Sequence, residues 1–134
     1  MTDTPKLIHA MVRVREEARS LDFYRTAFAL EIADRLDFDS FTLIYLSNAE
    51  SGFELELTVN KSQSEAYDLG NGYGHLAVSV ADLDATHARM TDAGLAPGDL
   101  KELAHSSGGK ARFFFIADPD GYKIEVLQRG WRFQ

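Results

Sequence analysis

Two runs of this chain read almost alike: His9-Ala-Met-Val-Arg-Val and His75-Leu-Ala-Val-Ser-Val, both of the form H-x-x-V-x-V. Each is followed by a glutamate set inside an apolar stretch, Glu56 between Leu55 and Leu57 and Glu125 between Ile124 and Val126. The His-to-Glu separations are 47 and 50 residues, so a unit of about half the chain occurs twice. Duplication constrains a fold more than any single element, because one packing solution has to serve both copies.

The alternation of Leu7 to Val14 predicts a strand with His9, Met11 and Arg13 on one face and Ile8, Ala10, Val12 and Val14 on the other. Arg15 to Ala29 follows with Ala18, Leu21, Tyr24 and Phe28 at helical spacing. Three apolar stretches, 30–36, 41–46 and 53–59, are separated by turn residues. The polar, glycine-bearing segment after them reads as a linker, with Asn71-Gly72 a tight turn.

The second copy begins with a strand over 75–80. Asp82 is placed to cap a helix that carries Leu83, Thr86, Met90 and Ala93 on one stripe and stops at Gly94. An extended piece around 95–103, a loop containing Gly108-Gly109, and strands over 112–117 and 122–128 complete it. Asp118-Pro119-Asp120-Gly121 joins the last two strands as a turn. Both copies run β-α-β-β-β, an α+β fold of paired modules. The expected bounds are 7–60 for the first module, 61–72 for the linker, 73–128 for the second and 129–134 for a C-terminal tail.

Composition removes several function classes. With 134 residues and 45% apolar content the chain can bury one core or two half-size modules sharing a core. A formal charge of -7 without a basic run argues against nucleic acid. The absence of cysteine excludes disulfides, thiolate metal sites and a thiol nucleophile. No stretch has the length and hydropathy of a signal peptide or membrane span, so a cytoplasmic protein without membrane partners is expected.

A carboxylate buried in a strand is costly unless it is paired, hydrogen-bonded or bound to a metal. Glu54, in line with Glu56 and Thr58, reads as facing water; Glu56 and Glu125, matched between copies, read as ligands. Together with His9 and His75 they make a 2-His-2-Glu set suited to a divalent metal. His87 and His105 have no counterpart in the other copy and read as exposed and non-ligating.

The segments 7–14, Leu21-Asp-Phe-Tyr24, Glu56-Leu-Thr-Val-Asn60, Gly72-Tyr-Gly-His75 and Asp118-Pro-Asp-Gly-Tyr-Lys-Ile-Glu125 resemble the short bacterial type of the glyoxalase I (lactoylglutathione lyase) family, within the vicinal oxygen chelate superfamily. The resemblance implies a homodimer with each metal between modules of different chains, His9 and Glu56 from one and His75 and Glu125 from the other. Nickel or cobalt is the implied metal, with zinc or manganese also compatible. The implied reaction converts the hemithioacetal of methylglyoxal and glutathione to S-lactoylglutathione through a metal-stabilised enediolate. Glu125 is the implied base, with Glu56 its counterpart for the other stereoisomer, and Arg13 and Asn60 hold glutathione. The chain departs from the family at Ser107, where a lysine is usual before the Gly-Gly, leaving Lys110 as the nearest cation; Asn71 stands where some members carry arginine. Another enzyme of the superfamily, an isomerase or epimerase, is the main alternative, and a metal-free antibiotic-binding protein the second. The tail 129–134 is expected either to pack on the dimer or to cover the pocket.

Overall fold

Each half of the chain builds the same four-stranded sheet. The computed structural model describes residues 3–134 and divides into two compact units between Asp68 and Leu69. The first contains β1 (His9–Arg13), α1 (Glu17–Phe28), β2 (Glu31–Asp37), β3 (Phe41–Ser47) and β4 (Glu54–Asn60). The second contains β5 (Leu76–Val80), α2 (Leu83–Asp92), β6 (Lys101–Ala104), β7 (Lys110–Ala117) and β8 (Lys123–Gln128). The sheet orders, β1-β4-β3-β2 and β5-β8-β7-β6, are the same topology twice. In both, the outermost first strand runs parallel to the last strand, and the other neighbours are antiparallel. The α+β fold of two βαβββ modules expected from the duplicated sequence is therefore the fold that forms. Among the described residues no helix is long and apolar enough to cross a membrane.

Strand alternation sends one set of side chains into the interior of each unit: Val12, Ile44, Leu46, Leu55 and Leu57 in the first, Phe114, Ile116, Ile124 and Val126 in the second. Each fully buried side chain of this kind contributes about 1.5–3 kcal/mol from removal of apolar surface from water. The opposite face of each sheet carries the polar ladder that includes Glu56 or Glu125. In the second unit α2 packs on β7 and β8 and is capped by Asp82, whose carboxylate accepts from the Ala85 N–H at 3.0 Å.

Four expectations change. The buried stripe of α1 is Ser20, Phe23, Tyr24 and Ala27, while Ala18 is exposed. A buried serine interrupts the apolar pattern and hides the true stripe. β2, read as an apolar strand, is exposed at every residue; it is an edge strand with a register shift between Ile32 and Asp34, as edges commonly have. Ala93 is exposed at the end of α2, not on its buried face. His87 is half-buried, its Nε2 lying 2.8 Å from the Gly98 carbonyl oxygen and its ring edge-on to Phe114. It fixes the segment after α2.

The tail folds onto its own unit. The Ser79 hydroxyl donates to the Gln134 carbonyl at 3.0 Å, and the Trp131 indole lies directly over Gly109, where it leaves no room for a Cβ.

α2 gives way to Gly94 at φ 75, whereas α1 ends at Ala29 with φ 53, its N–H donating to the Arg25 carbonyl at 2.9 Å. A methyl group in this left-handed region is strained. Ala29→Gly is therefore expected to raise stability by about 0.5–1 kcal/mol, read as an increased urea midpoint at unchanged slope.

Candidate metal centre

The repeated His and Glu meet because the strand register repeats. In the first unit Met11 lies opposite Glu56 across the parallel β1–β4 pair, and His9 is two residues before Met11 on the same face. In the second, Ala77 lies opposite Glu125, and His75 is two residues before Ala77. This offset brings His9 Nε2 to 3.7 Å from Glu56 Oε1 and His75 Nε2 to 3.2 Å from Glu125 Oε1. The glutamates are largely enclosed, with 11% and 18% of their side chains exposed, while the imidazoles remain accessible at 34% and 43%.

Each pair also has an aromatic wall that sequence reasoning missed. Tyr45 on β3 lies opposite Glu56 and edge-on to His9, with ring centroids 5.7 Å apart. Phe115 on β7 lies opposite Glu125 and edge-on to His75 at 5.2 Å. The Tyr45 phenol is pushed up to about 12, first by its hydrogen bond to Glu56, then by burial and the negative charge of Glu56, Asp34 and Glu54. It is therefore a standing proton donor at neutral pH. The available signal was an aromatic at the centre of the third strand in both copies.

Among the described residues no three His, Asp or Glu side chains come together as a metal-holding group; each unit offers two. The two donors nevertheless suit one ion. Adjacent donors at about 2.1 Å from an octahedral cation lie about 3 Å apart. The His75–Glu125 separation of 3.2 Å is close to that value, and the His9–Glu56 separation of 3.7 Å needs only a small closure. Imidazole nitrogen with carboxylate oxygen is also the donor chemistry of divalent transition metals. Each unit thus brings together two donors of a kind that a divalent cation accepts.

The residues expected to bind substrate separate into two groups. Arg13 lies opposite Thr58 on the His9 face. Asn60 continues the Glu56 face at the end of β4, opposite Phe41, and its Nδ2 donates to the Tyr67 hydroxyl at 3.2 Å. Lys110 alternates onto the other face of its sheet, with Arg112, and its ammonium lies 3.7 Å from Glu102. It is not brought to the Glu125 face. Ser107 instead meets His105, hydroxyl to Nδ1 at 2.8 Å. A cation that the sequence reading passed over does reach the second unit's polar face: Arg129 donates to the Ser79 carbonyl at 3.1 Å and hydroxyl at 3.3 Å. By register Ser79 occupies the place that Arg13 holds in the first unit.

The sequence matches the family described as the Glyoxalase/Bleomycin resistance protein/Dioxygenase superfamily over residues 6–126. The chain belongs to this superfamily. It is 37% identical over 128 residues to a lactoylglutathione lyase of Neisseria meningitidis, covering 92% of this chain and 91% of that protein. It is 35% identical over 130 residues to a probable lactoylglutathione lyase of Synechocystis, covering 91% and 94%. Among solved structures, the trypanothione-dependent glyoxalase I of Leishmania major superposes with a TM-score of 0.73 at 30% identity, covering 93% of this chain and 87% of that one. Membership of the superfamily accounts for the paired modules.

Proposed function

We propose that this chain is a divalent-metal-dependent lyase that converts the hemithioacetal of methylglyoxal and glutathione to S-lactoylglutathione. The observation that carries the reading is the same His–Glu pair at the same strand offset in both units. The curated relatives named lactoylglutathione lyase support it. In a homodimer, His9 and Glu56 of one chain and His75 and Glu125 of the other would hold the ion, nickel or cobalt by preference. When bound, the cation supplies Lewis-acid stabilisation for the two neighbouring oxygens that gain charge.

The rest falls to side chains. The reaction moves a proton between adjacent carbons, so one base has to take it and return it next door. Glu125 is placed for this role: its carboxylate is mostly shielded from water and lies 3.2 Å from His75 Nε2. Glu56 is its counterpart in the first unit. Arg13 offers a planar two-pronged donor for a substrate carboxylate, and Asn60 an amide on the same face. Lys110 has no place in this reading while it is paired with Glu102.

Metal-free protein loaded separately with nickel, cobalt, zinc or manganese and given methylglyoxal and glutathione is expected to form thioester, followed by its ultraviolet absorbance, with the greatest rate for nickel or cobalt. Absence of thioester from protein shown to bind each metal sinks the reading. Ser107 and the engagement of Lys110 favour one second reading, the same proton transfer on a different substrate. Turnover of another 2-hydroxycarbonyl adduct by the same loaded protein would distinguish it.

A further inference from the structure

The C-terminal tail brings a fixed cation onto the polar face of the second unit. Beyond β8 the chain turns back on itself: Gly130 and Phe133 exchange backbone hydrogen bonds at 2.9 and 2.8 Å, and Gln134 Nε2 donates to the Trp131 carbonyl at 3.0 Å. The turn is tied to β5 through Ser79 and Gln134, and to the loop before β7 through Trp131 over Gly109. Ser79 shares the face of His75 and Ala77 and pairs with Leu127, one step along that face from Glu125. Arg129 reaches this row, its Nε donating to the Ser79 hydroxyl at 3.3 Å and its Nη2 to the Ser79 carbonyl at 3.1 Å. Both acceptors are neutral. Among the described residues no carboxylate is ion-paired with Arg129 and no protein acceptor meets its Nη1. The cations near the glycine loop offer no substitute, since Lys110 is engaged by Glu102 on the other face.

We propose that Arg129 is a specificity-determining residue that binds a second carboxylate of the substrate, with the folded tail as the frame that presents it. A neutral amide would satisfy the two Ser79 oxygens; a guanidinium also leaves the Nη end of its planar fork for an anion. Because the Nε edge is already anchored, a carboxylate docking on the Nη pair immobilises little that was free. Ser79 holds by register the place of Arg13, so each unit carries an arginine at the same row, one from its first strand and one from the tail. Glutathione has a carboxylate at each end. Arg13 is offered to one, and Arg129 takes the glycyl one. The identity of that carboxylate rests on the lyase reading above; the anion site does not.

The test measures, by calorimetry on nickel-loaded protein, the binding of S-methylglutathione and of its glycyl ethyl ester. Wild-type protein is expected to prefer the free acid about tenfold. Arg129→Gln should weaken binding of the acid about tenfold and leave the ester unchanged, so that the two bind alike. Arg129→Lys should keep part of the preference, because an ammonium retains the charge without the paired donors. With methylglyoxal and glutathione, Arg129→Gln should raise KM about tenfold at nearly constant kcat, the mark of binding energy that is equal in ground and transition states. An arginine that merely braces the tail would lower Tm and weaken acid and ester equally. That equal loss, or a preference that survives Arg129→Gln, overturns the proposal. Wild-type protein that forms thioester yet binds acid and ester alike overturns it while leaving the lyase reading standing. Wild-type protein that prefers the acid through Arg129 but forms no thioester defeats the lyase reading and keeps the anion site. Should Arg129→Gln fail to fold, Arg129→Lys decides, since an undiminished preference there overturns the paired contact.

Discussion

Glu125→Gln is expected to lower kcat by about a thousandfold or more while weakening metal binding only about tenfold. The amide keeps the shape of the carboxylate and retains an oxygen able to face a cation beside His75 Nε2, now 3.2 Å away, but it cannot accept the carbon-bound proton. Loss of the base removes a transition-state contribution, which appears in kcat and kcat/KM together. Glu56→Gln should show the reverse weighting, with the larger effect on the metal, because in the proposed reaction Glu56 stands beside His9 as a donor while Glu125 is the principal base. Single-turnover rates and chelator competition on the same preparations provide the comparison. If Glu125→Gln costs binding and turnover equally, Glu125 is a ligand and the proton is carried elsewhere.

That contrast shows which parts of the site could be read from the chain. The two His–Glu pairs were legible because duplication put the same residue types at matching places, and a matched pair is harder to attribute to a solvated strand face than a single glutamate. Asp82 at the start of α2 and the Asp118 turn were also legible, since capping and turn chemistry are local: Asp118 accepts from the Asp120 and Tyr122 N–H groups, each at 2.9 Å. Tyr45 and Phe115 were not, because their role depends on which residue of β3 or β7 stands opposite the glutamate. Register between strands distant in sequence is set by sheet pairing, which one-strand alternation does not encode. The same limit explains Lys110. Proximity to the glycine loop suggested a substrate contact, whereas pleat parity puts it on the other face, against Glu102. Periodicity also misled at α1, where the buried stripe passes through Ser20. It misled at β2 too, where apolar residues lie on an exposed edge.

Because each unit brings only one His–Glu pair together among the described residues, the assembly proposed for the full site makes a demanding prediction. A chain carrying His9→Ala keeps an intact second unit, and a chain carrying His75→Ala keeps an intact first unit. Each variant alone should bind metal poorly and turn over almost nothing, since every site in either homodimer lacks one imidazole. Unfolding and refolding the two together in equal amounts should give about half heterodimers, each with one complete site and one doubly deficient site if the sites pair units of different chains. Activity should then return to about a quarter of the wild-type level, with metal bound in proportion. A site built from both units of one chain gives no recovery from such mixing, because neither chain contains all four ligands. The experiment therefore separates the arrangement of the site from its chemistry. Metal bound at one quarter occupancy without turnover would support the shared site and count against the reaction. Recovery of neither metal binding nor turnover would count against sharing, even if the wild-type protein is an active lyase.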